Sequence, residues 1–163
     1  VLSRGGSDVP WTGGGERGRE EFAVAGVQGA LFGNDLLVAE RAGGMDLLRE
    51  RGGDLALAEG NDNILQALSM RLRVRKGELA RLGWADYGSR LHELIGEPNN
   101  TRTHLKLMAF ARAAIEQDPR VREVASVQAQ VIPGEREVVR LLMEITLIDA
   151  PNPLNLVFDV KLN

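Results

Sequence analysis

Hydrophobic and polar positions fall into three regimes along the chain. Residues 1–20, VLSRGGSDVPWTGGGERGRE, show almost no periodic apolar pattern and hold six of the 19 glycines. Such a segment loses much entropy on ordering and builds no core of its own, so it reads as a flexible Gly-rich arm, or as one ordered by a partner. Trp11 is either its anchor on another surface or simply an exposed ring. Residues 21–53 read as an extended, irregular, partner-contacting segment. Phe22, Val24, Val27, Leu31 and Phe32 are interrupted by Gly26, Gly29 and Gly33, which suits short strands or turns better than a helix. Asp35–Glu40 and, just beyond, Asp54–Ala58 read as short strands, and Met45–Glu50 as a short helix.

From residue 54 onward the pattern becomes regular. Ile64, Leu65, Leu68 and Leu72 recur at helical spacing behind Asn61 or Asp62 as the cap, with Gly77 as the stop. A second helix is expected from Asn100–Thr101 to Gln117, with Leu107, Met108, Ala111, Ala114 and Ile115 on one stripe and Pro119 ending it. Between them Ser89–Ile95 suits a short helix closed by Gly96 and Pro98.

The period then changes from 3.6 to 2. Val121, Ala125, Val127, Ala129 and Val131 alternate with other residues up to the turn at Pro133-Gly134. Val139, Leu141, Met143, Ile145 and Leu147 alternate up to a second turn, Asp149–Pro153. Leu154, Leu156, Phe158, Val160 and Leu162 alternate to the end. The expected fold class is therefore α+β: two main helices packed on a small antiparallel three-stranded sheet, following the Gly-rich arm. Either the last strand lies inside the sheet, or it lies at an edge, where unpaired N–H and C=O groups invite a strand of another chain.

Composition narrows the chemistry. The chain has 163 residues, 44% of them hydrophobic, and a formal charge of −3. That suits one globular core and argues against a basic nucleic-acid binder. There is no cysteine, and the two histidines are His92 and His104, so disulfides, thiol catalysis and His-rich metal sites are not expected. No apolar run approaches a membrane span and no leader pattern is visible, so cytoplasmic origin is the expectation. Gly13–Gly18 matches G-x-G-x-x-G formally, but no strand precedes it; His92-Glu93 is not followed by the second His of a zinc motif. Glu78, Asp86, Glu93, Glu97, Glu116 and Asp118 could in principle supply a glycosidase pair, which would need a cleft separating two pKa values. Arginine outnumbers lysine 17 to 3, a skew that fits bidentate interface pairs and equally a GC-rich genome.

Five pieces in order carry a family resemblance. They are Asn63-Ile64-Leu65-Gln66-Ala67-Leu68, Gly77-Glu78, Asp86-Tyr87-Gly88-Ser89-Arg90-Leu91, Glu97-Pro98-Asn99, and Asp118-Pro119-Arg120 after the second helix. Together they resemble the baseplate W protein family, the sheath-initiator or baseplate-wedge components of contractile-tailed phages and related contractile injection systems. Asp118 stands where the family has Glu.

The resemblance implies a domain over 54–163 related to the handshake domain of the tail sheath. It implies a non-enzymatic structural protein of the virion tail baseplate, assembled in the host cytoplasm, with no cofactor and no metal. Its implied partners are the tail sheath protein, the baseplate wedge proteins and the tail tube or spike hub, with neither nucleic acid nor membrane. Leu154, Leu156, Phe158, Val160 and Leu162 are the candidate strand-addition residues toward the sheath. Asp118, Pro119 and Arg120 are the candidate wedge contact: Arg120 either grips a carboxylate of a neighbour or pairs internally with Asp118, Glu123 or Glu116. The alternatives are a peptidoglycan-cleaving, lysozyme-like baseplate enzyme, and an equivalent adaptor of a type VI or extracellular injection system.

Overall fold

The computed structural model describes residues 32–41, 44–148 and 150–162. The arm assigned to residues 1–20, and Trp11 with it, lies outside them. Four short strands come first: β1 (Asn34–Leu36), β2 (Val38–Arg41), β3 (Gly44–Leu47) and β4 (Leu57–Glu59). They are followed by α1 (Gly60–Arg73), single 3-10 turns at Ala80–Leu82 and Leu91–Leu94, and α2 (Thr101–Ile115). The chain closes with β5 (Val121–Ile132), β6 (Glu135–Leu147) and β7 (Leu154–Lys161).

The fold is not the two helices on a single three-stranded sheet that the sequence pattern predicts. The described residues form three sheets: β1 with β4, β2 with β3, and β5-β6-β7, all antiparallel. The two additional sheets have strands of three or four residues. That is too short to establish a period of two, and the facing pair Leu36 and Leu57 stays exposed rather than marking a core. The stretch expected to be a helix at Met45–Glu50 instead carries β3, paired back on β2 as a hairpin. The single strand expected at Asp35–Glu40 is split at Leu37, whose N–H and C=O are bonded to Ala56 and Leu48.

Helix α1 starts at Gly60 without a side-chain cap. Asn63, one turn in, is spent elsewhere: its amide donates to the Phe32 carbonyl at 2.6 Å and is buried. The helix ends at Arg73, before the expected Gly77, because its last carbonyls are claimed by another segment. Ser89 Oγ donates to the Leu72 carbonyl at 2.6 Å and Ser89 N–H to the Val74 carbonyl at 2.8 Å. Helix α2 begins as expected, with Asn100 Oδ1 accepting from the Thr103 N–H at 3.0 Å.

One core joins the helices to the large sheet. Ile64, Leu68 and Leu72 of α1 and Leu107, Ala111 and Ile115 of α2 pack with Val139, Leu141, Met143, Ile145 and Leu147 of β6. In β7 burial alternates without exception, with Leu154, Leu156, Phe158 and Val160 inward and Asn155, Val157, Asp159 and Lys161 outward. Strand β5 departs from the expected alternation. Register shifts at Val121/Glu123 and Val124/Ser126 turn Val124 into the core and Ala125 out.

Candidate functional site: a charged corner and an open sheet edge

Pro119 follows α2 at the corner where the chain enters β5. Beside it Asp118 is 3% exposed. Arg120 grips it with both nitrogens of its fork, Nε to Oδ1 at 2.8 Å and Nη2 to Oδ2 at 2.9 Å, and the Arg120 backbone N–H adds a third bond to Oδ1 at 3.1 Å. The fork of Arg120 is thus filled from within the chain. Burial alone would push the Asp118 carboxyl up, but the hydrogen bonds from Arg120 and the charges of Arg120 and Arg71 outweigh it and hold it below the usual carboxylate range.

A second guanidinium reaches the same carboxylate. Arg71 of α1 places Nη2 3.6 Å from Asp118 Oδ2, beyond hydrogen-bond distance, and stacks over the Tyr87 ring at 4.5 Å. Its Nε is buried without a partner. Burial pushes the Tyr87 phenol up, with Arg71 acting against it. Tyr87 is held there by its neighbour. Gly88 has φ of +106°, and a Cβ on it would stand 2.7 Å from the Val74 carbonyl oxygen, so only glycine lets this segment lie against the end of α1. Three separate pieces of the sequence, around residues 71, 87 and 118–120, therefore converge on one cluster.

The other candidate feature is the sheet edge. Strand order β5-β6-β7 leaves β7 paired on one side only among the described residues. The Leu162 N–H donates to the Glu137 carbonyl at 2.8 Å. That fixes the parity of the ladder: even-numbered residues of β7 bond to β6, and the N–H and C=O of Asn155, Val157, Asp159 and Lys161 face the open side. The five residues singled out in the sequence have their side chains in this chain's own core, at 8% (Leu154), 4% (Leu156), 9% (Phe158), 7% (Val160) and 2% exposed (Leu162). The groups available for pairing belong to the residues between them, which sequence reasoning passed over. On the outer face Arg140 grips Asp159 with two bonds of 2.7 Å, which hold the Asp159 carboxyl down.

The opposite edge is less receptive. Strand β5 carries three register shifts, and Arg112 Nη1 occupies the Val124 carbonyl. Bulges and an occupied carbonyl are devices that blunt an edge. Strand β7 runs in unbroken register with β6 from Leu154 to Lys161.

An α+β domain with a regular edge strand, unpaired on one side among the described residues, and a charged corner at the helix–strand junction is the class these features define. A family model for the contractile injection system sheath initiator matches residues 41–149, and the chain belongs to that family. Membership places it with the baseplate and sheath of a contractile tail. A crystal structure from Geobacter sulfurreducens, described as a candidate tail lysozyme, shares the fold with a TM-score of 0.56 and 23% identity, covering 66% of this chain and 96% of that one. No curated protein matches the chain.

Proposed function

We propose that this chain joins the baseplate wedge to the first ring of the tail sheath and seeds sheath polymerisation by accepting a strand of a sheath subunit at β7. The observation that carries this reading is the pairing parity of β7: an unbulged eight-residue strand with the backbone groups of four residues turned outward. A preformed edge spares the first sheath subunits the entropic cost of nucleation, and a ring of copies adds avidity. The Asp118–Pro119–Arg120 corner lies where the second helix meets the sheet, and its internally closed ion pair serves the wedge contact by holding the surrounding surface rigid.

Removing β7 would not test this, because its inward side chains are core. Val157→Pro does. The Val157 N–H faces the open side, so proline there removes a donor that β6 does not use, a position where edge strands tolerate proline. The expected result is a folded protein that no longer seeds sheath.

A cell-wall-cleaving reading has the description of the Geobacter structure behind it. It asks for a carboxyl group pushed up into the range of a general acid. Two of the candidate acids move the other way: Glu93 is held down by its hydrogen bonds from Arg90, and Asp118 by Arg120. Purified protein is expected to leave the turbidity of a cell-wall suspension unchanged; clearing would favour the enzyme. Neighbouring genes separate a phage tail from a secretion or extracellular device, through the presence of capsid and terminase genes.

A further inference from the structure

Beside the charged corner lies an open pocket of about 610 Å³ lined by Arg71, Trp84, Asp86, Tyr87, Gln117 and Pro119, with glycine and alanine of the same loop. Its chemistry is incomplete in the free chain. Two guanidinium groups, Arg71 and Arg120, share the one buried carboxylate of Asp118, and Arg120 takes both of its oxygens. Arg71, 9% exposed, makes no side-chain hydrogen bond among the described residues; its Nε is shut off from solvent without a partner, so the donors an incoming group can reach are its terminal nitrogens, which are also unbonded. Buried donors are ordinarily satisfied, and an exception asks for a reason.

The rim points the same way. Trp84 is 62% exposed and meets Tyr87 edge to face at 6.2 Å, and Leu82 in the same loop is also exposed. Trp, Tyr and Arg are the residues that dominate binding hot spots. The one acid lining the pocket, Asp86, is turned to solvent and lies 3.7 Å from Lys76. Nearby Glu116 pairs with Arg112.

We infer that this pocket receives a segment of a neighbouring protein that carries an Asp or Glu carboxylate beside an apolar side chain, the carboxylate completing Arg71 and the apolar group covering Trp84. This rests on the reading of the corner as the wedge-facing side and supplies the chemistry of that contact. It also reassigns the gripping arginine from Arg120 to Arg71.

The test uses the full chain and the wedge proteins encoded with it, titrated by light scattering or fluorescence. Arg71→Met keeps apolar contact with Tyr87 but removes the charge, the cation–π contact and the unsatisfied donor together; Asp118 stays paired with Arg120, so the variant is expected to fold and to melt near or somewhat below the wild type. Its affinity for the wedge proteins is expected to fall at least about tenfold, as is that of Trp84→Ser. Gln117→Glu, on an exposed residue, places a competing carboxylate at the pocket and is expected to weaken binding without unfolding the protein, which keeps the inference testable if Arg71→Met melts early. Unchanged affinity in Gln117→Glu, or in a folded Arg71→Met, while Trp84→Ser is impaired overturns the carboxylate and leaves the wedge contact standing. Unchanged affinity in every variant overturns both.

Discussion

At the scale of single residues, two substitutions probe the corner. Asp118→Asn strands two guanidinium groups around a buried neutral side chain, and is expected to cost about 3–5 kcal/mol in urea unfolding at neutral pH. The pH dependence has a definite sign. The Asp118 carboxyl is held below its ordinary value of 3.8 in the folded protein, so its contribution is present above that value and is lost as pH falls through the lower folded one. The stability gap between wild type and Asp118→Asn should therefore close on acidification below pH 3.8. A gap that persists unchanged at low pH would mean that the carboxylate charge is not what stabilises the corner. Gly88→Ala is expected to cost about 2–5 kcal/mol, since its Cβ would collide with backbone that cannot yield as a flexible side chain could. An alanine variant as stable as wild type would show that the loop relaxes freely. The sequence displayed Asp118, Pro119 and Arg120 as a motif, and Tyr87-Gly88-Ser89 as another. It did not show that Arg71 would join them, because residues 71, 87 and 118 meet only after α1, the loop and α2 are packed.

At the scale of elements, β7 offers a paired comparison. Val157→Pro removes an outward N–H and should leave melting close to wild type. Phe158→Pro removes an inward ladder donor and a core ring, and should cost at least about 3 kcal/mol or prevent folding. Equal behaviour of the two would contradict the assigned parity. This strand was the most legible part of the sequence, because its alternation is uninterrupted and one face is fully buried. Strand β5 was legible in extent but not in facing. Its register shifts carry Val124 inward where simple alternation selected Ala125, and a bulge leaves no residue signature in such a mixed stretch. The four short N-terminal strands were not legible as sheets: Leu36, Leu47 and Leu57 are apolar yet exposed, so hydrophobicity there does not report burial. The pairing groups of Asn155, Val157, Asp159 and Lys161 were hidden for a different reason. Parity depends on how the turn between β6 and β7 closes, and that is fixed in three dimensions.

At the scale of the whole molecule, β7, the strand proposed to pair with the sheath, is also part of the fold. The buried side chains of β7 and Leu162 each contribute about 1.5–3 kcal/mol, which together rivals the entire stability of a typical domain. Ending the chain after Pro153 should thus abolish cooperative unfolding as seen by circular dichroism, and a truncated chain that still melts cooperatively would show that the sheet is held by β5 and β6 alone. This coupling suits the proposed seed: the edge is presented by a strand anchored in the core, so a pull on β7 acts on the whole domain rather than on a loose segment. Seeding through β7 is decided by the lag time of sheath polymerisation, followed by light scattering and electron microscopy, with the sheath protein alone, with the wild-type chain, and with Val157→Pro. The wild type is expected to shorten the lag, and the folded proline variant to leave it at the value of sheath protein alone. A folded Val157→Pro that seeds as well as the wild type would contradict strand addition at β7.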